Sequence, residues 1–387
     1  MKKILVITAY HTGHGHHSIS DAVIACLRER DGVEVREIDG FTLLGRFNAW
    51  CAGRYGWTVQ HLPRFWEFLY HFTDRFSGRM DAFTAARGSR RFRALLEDFR
   101  PDLILSVHSM FNGSVSRMLD KCGKKIPLIT VQADIRTLHA SWCNPRADLT
   151  VCPTEEAYRE SLRQGMPEER LCMIPLPVRR QFAEAAREGP EREYDGSEPV
   201  KCLMMLGSEG SSKMNGYVRD LMGADNLQLT VICGNNEPLF RRLSRLKEAY
   251  PGRLEILGFT NEVARVMCQH DVLISRSSPN VLFEGITVNL PVIAIATLKG
   301  QEENNDRLVS DNRLGLRSAD YPDLRSAVNA LTENGGELYR QIREAQRDWR
   351  SPDSAQAVAD CLLEKLNHDQ SFGEGGECDA VRHADTD

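Results

Sequence analysis

Apolar residues in this chain come in short runs that recur at intervals and end in polar or glycine-bearing loops. The first run, Ile4-Leu5-Val6-Ile7, meets the loop Tyr10-His11-Thr12-Gly13-His14-Gly15-His16-His17, after which Ile19, Ala22, Val23, Ala25, Cys26 and Leu27 follow at helical spacing. This pattern predicts strand, loop and helix. Val33 to Ile38 alternates as a half-buried strand does. Further strands are predicted at 101–108, delivering His108 to a loop, and at 126–134, delivering Asp134. Strands at 148–152 and 171–174 flank a helix at 155–164 that Gly165 ends. A polar stretch, 187–199, carries Gly189, Pro190, Gly196 and Pro199 and reads as a linker. Beyond it the pattern restarts, with strands predicted at 202–206, 229–234, 254–258, 272–275 and 292–296, each leading into a turn and a helical stretch.

The chain therefore reads as α/β with two similar halves: a domain at 1–186, the linker, a domain at 200–350, a C-terminal helix at 351–366, and an acidic tail at 367–387 expected to be disordered. Its 387 residues exceed what one core usually serves, which agrees with two domains. In doubly wound sheets, ligands sit beyond the carboxyl ends of the strands, so His16, His108 and Asp134 are expected to converge on one cleft.

Between 46 and 93 the character changes. Phe47, Trp50, Tyr55, Trp57, Phe65, Trp66, Phe68, Tyr70, Phe72, Phe76 and Phe83 are interleaved with arginines and with few acids. Such a segment suits a lipid headgroup layer, where rings are half buried and cations meet anionic lipid. It equally suits a helical insertion whose aromatics face the core. Overall charge, 49 basic against 54 acidic side chains, gives no support for nucleic-acid binding. The first residues lack the apolar core of a signal peptide, and no window approaches the ~20 apolar residues of a spanning helix, so a soluble, cytoplasmic protein is expected. Eleven cysteines without a C-x-x-C pair read as reduced thiols rather than a disulfide frame or zinc site. For the four histidines of the first loop, no carboxylate or cysteine completes a clear metal-ligand set.

With these features in place, the motifs become specific. The pattern T-G-x-G-H at Thr12, Gly13, Gly15 and His16 resembles the opening motif of the monogalactosyldiacylglycerol synthase and processive diacylglycerol glucosyltransferase family, whose members are two-domain GT-B enzymes of glycosyltransferase family 28. Asp134, His139 and Trp142 look like its D-x4-H-x2-W segment. Pro175-Leu176-Pro177-Val178-Arg179, with Phe182, is similar to its G-x-P-V stretch, with proline for the usual glycine. Cys233-Gly234-Asn235-Asn236 and Leu257-Gly258-Phe259 resemble its C-G-x-N and L-G-F elements, and Gly300-Gln301-Glu302 with Asn305 its G-Q-E-x-x-N motif. Two loops depart from the family: its K-x-G-G-x-T segment is here Arg276-Ser277-Ser278-Pro279-Asn280-Val281, and its G-G-x-G loop is Gly207-Ser208-Glu209-Gly210. Donor identity is the property on which those departures bear.

The resemblance implies two Rossmann-like domains facing each other across a cleft, and inverting transfer of a hexose from a UDP-sugar to a membrane lipid such as diacylglycerol. An imidazole, with an ordinary pKa of about 6.5, is largely neutral near pH 7 and able to accept a proton. His16 is accordingly the expected base. Asp134 is expected to orient His16 or the acceptor, or to cap the turn after its strand. Gly13, Gly15, His108, His139 and Trp142 are expected on the acceptor side. The expected donor side comprises Gly207, Gly210, Asn236, Phe259, Arg276, Ser277, Ser278, Glu284, Gln301, Glu302 and Asn305. Glu284 is the implied ribose ligand, Gln301 and Glu302 suit the hydroxyls of the sugar, and Arg276 offers a cation for the diphosphate. No metal and no cofactor beyond the UDP-sugar are expected, since D-x-D occurs only at Asp385-Thr386-Asp387. The expected setting is the cytoplasmic face of an anionic membrane, held peripherally. Alternatives are a soluble transferase or epimerase using a UDP-sugar on the same scaffold, and a catalytically weak sugar-nucleotide-binding protein.

Overall fold

All eleven apolar runs form strands, and every strand joins a parallel sheet. The computed structural model describes residues 1–10, 14–45, 62–189, 193–206, 213–295, 300 and 302–370. The first sheet contains β1 (Lys2–Thr8), β2 (Val33–Asp39), β3 (Leu103–Ser106), β4 (Leu128–Val131), β5 (Leu149–Cys152) and β6 (Leu171–Met173), in the order β2-β1-β3-β4-β5-β6. The second contains β7 (Val200–Met205), β8 (Leu227–Ile232), β9 (Leu254–Leu257), β10 (Val272–Arg276), β11 (Val292–Ile295) and β12 (Gly315–Arg317), in the order β12-β11-β10-β7-β8-β9. Helices on both faces explain why these strands read as continuous apolar runs: Ile4, Leu5, Val6 and Ile7 are all fully buried, as are Val272, Leu273 and Ile274.

Only β12 escapes the sequence pattern, because three residues give no periodic signal. Gly315 is the reason it can pair at all. A Cβ there would lie 2.1 Å from the carbonyl oxygen of Val292, the residue it faces in the register.

The chain divides into two compact units. Met1–Tyr55, Phe68–Pro177 and Asp353–Asp387 make the first; Gly56–Glu67 and Val178–Pro352 make the second. Two expected boundaries shift as a result. The stretch 187–199 is not a free linker: where described it lies inside the second unit, and Tyr194 is buried with its ring 5.9 Å from that of Tyr339. Its polarity reflects the surface residues around that anchor. The last helix, Ser354–Gln370, is longer than expected and belongs to the first unit. It packs on the helix His14–Arg28 with Val358, Ala359, Leu362 and Leu366 buried, while Arg30 donates to Asp360 at 2.6 Å and Lys2 to Asn367 at 2.5 Å. The rest of the expected tail, 371–387, lies outside the described residues.

Candidate active site

Strand order in the first sheet reverses between β1 and β3, and it is beyond the carboxyl ends of such a pair that a crevice opens in doubly wound sheets. Chain segments leaving both strands carry histidine there. The helix after β1 starts at His14, so Gly15, His16 and His17 lie in its first turn rather than in the loop before it. N–H groups of a first turn have no partner within the helix, which is why a run of glycine and histidine is tolerated at that point.

His16 is buried, and its Nδ1 lies 2.9 Å from the Val107 carbonyl oxygen. A carbonyl can only accept, so Nδ1 carries the hydrogen and Nε2 keeps its lone pair. Among the described residues Nε2 has no hydrogen-bond partner. Burial pushes the His16 pKa down to about 4, the Val107 bond pulling the other way, so the ring is neutral at pH 7.

His108 has the opposite tautomer. It caps the helix Ser109–Cys122, its Nδ1 accepting from the Met110 N–H at 3.3 Å, which puts the hydrogen on Nε2. The His108 and His16 rings are 4.4 Å apart, and Phe41 and Phe111 stand against His108 at 5.8 and 5.4 Å. Burial, then the neighbouring His16 and His139, hold the His108 pKa well below its ordinary value. Ser106 donates to Asn112 at 2.6 Å in the interior, and Asn112 donates to the Ser141 carbonyl at 3.3 Å.

Trp142 is buried with its ring 6.0 Å from His16, and its indole N–H donates to Asp134 at 2.6 Å. Asp134 therefore fixes Trp142, and the hydrogen bond that orients His16 comes from Val107. A main-chain carbonyl leaves no signature in sequence, so that partner could not be anticipated from residue types. His139 caps the short turn Ala140–Trp142, with Nδ1 accepting from Ser141 at 3.1 Å and Nε2 lying 3.2 Å from the Thr73 hydroxyl. Asp74 accepts from the Ala140 N–H at 2.7 Å, and the Tyr70 ring lies edge-on to His139 at 4.9 Å. Helix Pro63–Arg75 is thus pinned to the turn that carries His139 and Trp142.

That helix has an unusual outer face. Phe65, Phe68 and Phe72 are 52%, 63% and 45% exposed, and Phe83 on the next helix, Ser77–Phe99, is 56% exposed. Arg75, Arg79 and Arg87 are exposed as well, and the Arg87 guanidinium lies 5.7 Å from the Phe83 ring. Tyr70 and Phe92 face inward instead, so the aromatics of this segment divide between the core and the surface. Phe47, Trp50, Tyr55 and Trp57 lie outside the described residues.

Carboxylates do reach the first-turn histidines, contrary to expectation. Asp21, one turn on, and Glu37 of β2 each place an oxygen 3.5 Å from His17 Nδ1. Asp21 is exposed and Glu37 largely covered, and acids near a surface gather around a histidine in this way without any metal.

In the second sheet the reversal falls between β7 and β10. Arg276 ends β10, Ser277 and Ser278 follow, and the helix Pro279–Thr287 starts directly after them. Ser277 donates to the Ile295 carbonyl at 3.2 Å, and the Asn305 amide donates to the Ser277 carbonyl at 3.0 Å, tying the segments after β10 and β11 together. Two buried acids complete the cluster, each with an arginine. Glu284 accepts from Arg179 Nε at 2.8 Å; burial raises its pKa, and the guanidinium opposes the rise. Glu302 faces Arg276 through two contacts of 3.0 Å. Arg179 appears in the sequence only as a motif member, although an acid in an otherwise apolar helix face is itself a signal that a base must be near. Asn236 caps the helix Glu237–Lys247, accepting from Leu239 at 3.0 Å, and Phe259, after β9, is 64% exposed. Gly13, Gly207, Gly210 and Gln301 lie outside the described residues.

Solved structures share this architecture. The crystal structure of Acinetobacter baumannii MurG aligns with a TM-score of 0.64 at 14% identity over 94% of this chain and 100% of that one. The S. aureus MnaA-UDP co-structure aligns at 0.59 and 14% identity over 95% and 97%. Likeness at this identity is one of fold, and the fold is GT-B. In sequence, residues 16–178 match the monogalactosyldiacylglycerol synthase model and residues 201–356 the glycosyltransferase family 28 C-terminal domain. The chain belongs to this family of glycosyltransferase family 28, as its motifs indicated. It is 24% identical to a processive diacylglycerol beta-glucosyltransferase of Bacillus cytotoxicus over 95% of both chains. It is 27% identical to a probable chloroplastic monogalactosyldiacylglycerol synthase of Glycine max, over 84% of this chain and 64% of the soybean protein, and so spans less than two thirds of the length of that plant relative.

Proposed function

We propose that this protein is an inverting glycosyltransferase that moves a hexose from a UDP-sugar to the hydroxyl of a membrane lipid of the diacylglycerol class. The observation that carries the reading is His16: a buried, neutral imidazole at the reversal of the first sheet, with its hydrogen committed to Val107 and its Nε2 lone pair left to act as a base. In this mechanism the lipid hydroxyl oxygen bonds to the anomeric carbon as the bond from that carbon to the UDP oxygen breaks. The electron pair leaves on the β-phosphate, and the hydroxyl proton passes to His16 Nε2. A base of low pKa is weak toward a neutral alcohol, so proton transfer is expected late, when the bond to carbon has already made the hydroxyl acidic.

On the donor side, Glu284 is assigned to the ribose hydroxyls and Gln301, Glu302 and Asn305 to the sugar. Main-chain N–H groups at the loop after β7 and at the start of the helix Pro279–Thr287 are assigned to the diphosphate. The reaction so written needs no cofactor. Trp142, His108 and His139 shape the acceptor pocket.

For the lipid, the exposed Phe68, Phe72 and Phe83 with Arg75, Arg79 and Arg87 form a surface suited to an anionic headgroup layer on the cytoplasmic face. Among the described residues no helix is long and apolar enough to cross a membrane. Through Asp74 and Thr73, a helix seated in the headgroups would hold the acceptor pocket at the height where a diacylglycerol hydroxyl lies. The test is UDP release from UDP-glucose, UDP-galactose and UDP-N-acetylglucosamine, each with diacylglycerol vesicles. Release with one pairing, dependent on both substrates, is expected, and no release with any pairing overturns the proposal.

A further inference from the structure

Arg276 stands where the sequence offers a cation for the diphosphate, yet its guanidinium is already engaged. Nε lies 3.0 Å from one oxygen of Glu302, and Nη2 donates to the other at 3.0 Å. The Glu302 side chain is 8% exposed and that of Arg276 25%. A carboxylate this deeply buried stays ionised only with a counter-charge, and a guanidinium that hydrogen-bonds one oxygen while its Nε stands beside the other restricts how the carboxylate can turn. Both ends of the contact are held. Arg276 is in register with Ile295 on the neighbouring strand, and the Asn305–Ser277 and Ser277–Ile295 bonds join the backbone on either side of the pair.

We propose that Arg276 is a positioning residue for Glu302, holding the carboxylate that receives hydroxyls of the donor hexose, and is not the counter-ion of the diphosphate. The inference rests on the donor-site reading given above and assigns a role within it. A guanidinium neutralised by one carboxylate adds little net attraction for a second anion. The carboxylate, by contrast, gains from it, since the guanidinium beside it keeps it ionised and holds its orientation. The substrate class that follows is a hexose presenting free hydroxyls to a fixed acceptor edge. The departure from the family's lysine at this position has the same explanation. Lysine is a point charge and cannot set the orientation of a carboxylate, whereas the planar fork of arginine can.

The experiment uses the full chain and the variants Arg276→Gln, Arg276→Lys, Glu302→Gln and the double Arg276→Gln/Glu302→Gln. UDP affinity is measured by calorimetry, KM and kcat for whichever of UDP-glucose and UDP-galactose is turned over, and melting temperature for all. Expected results are a rise in hexose-donor KM of about tenfold or more in each glutamine variant, the size of a lost charge-assisted hydrogen bond, with UDP affinity changed less than about threefold. The double variant should be no worse than the poorer single, and Arg276→Lys should fall between wild type and Arg276→Gln. A tenfold loss of UDP affinity in Arg276→Gln but not in Glu302→Gln would overturn the proposal, as would losses that add in the double. If wild type neither binds UDP nor turns over a UDP-hexose, the donor-site reading fails and the proposal falls with it; where wild type does both, the KM and UDP-affinity results decide the proposal on its own.

Discussion

The two units solve the problem of chemistry at a buried sheet edge in opposite ways. In the first, the polar groups at the strand reversal are imidazoles kept neutral by burial, each with its hydrogen placed by a backbone contact: Val107 for His16 and Met110 for His108. In the second, the groups are carboxylates, each facing an arginine: Glu284 with Arg179, and Glu302 with Arg276. A ring held neutral keeps a lone pair ready to accept a proton, while burial opposes the charged form that would result. A carboxylate beside a guanidinium offers acceptors in fixed positions. The first arrangement suits a base and the second suits recognition of hydroxyls, the division on which the proposed reaction draws.

The comparison breaks most visibly at His16. His16→Ala should lower kcat/KM by about 10²- to 10⁴-fold, the usual worth of a general base, while calorimetry shows UDP affinity unchanged. A loss under threefold would remove His16 from the chemistry. Glu284→Gln should act on recognition alone, raising donor KM by about ten- to a hundredfold with kcat at saturation little altered. Equal losses in kcat would merge the roles proposed for the two units. At the surface, Phe68→Ser with Phe72→Ser should weaken flotation with anionic vesicles by about tenfold or more, since two rings leave the lipid. Urea titration should show fold stability changed by less than about 1 kcal/mol, because both rings are solvent-exposed in the free protein.

The smallest effect is the most diagnostic. With its pKa pushed down to about 4, His16 stays neutral across pH 5 to 8, so its contribution to kcat/KM should vary less than about twofold there, with no inflection near 6.5. The sign for stability follows from the same shift. Between pH 6.5 and 4 the unfolded chain binds the proton more readily than the folded one, so this group's contribution to stability falls as pH drops below 6.5 and levels off near 4, by about 3 kcal/mol in total. Urea titrations of wild type and His16→Gln across that range measure it as a difference.

Much of this architecture is legible in the amino-acid sequence. Runs such as Ile4 to Ile7 and Val272 to Ile274 announce their strands because both faces of a parallel sheet are buried. His16, His108, Asp134 and Trp142, spread over more than a hundred positions, gather because each leaves the carboxyl end of a strand or the loop after it. What stays hidden has a common cause. Val107 acts through a carbonyl that every residue possesses, Gly315 through an absent side chain, and Arg179 and Arg276 through partners about a hundred and about twenty-six positions away, at distances no periodicity encodes. Side-chain types mark where chemistry is placed; the contacts that set its protonation state are mostly not written in residue identity.

The division of the chain into units also bears on how the protein comes into being. The first unit contains both the earliest strand and the last described helix, Ser354–Gln370, which covers the apolar side of the helix bearing His16. Chains emerge from the ribosome from the amino end, and domains ordinarily fold in that order. Here the amino-terminal unit must wait with an uncovered apolar face until the entire second unit has been made, so the His16 helix gains this packing only once the helix Ser354–Gln370 has followed it. A nascent chain stopped short of residue 353 carries every residue assigned to catalysis and still lacks the piece that closes the unit holding them.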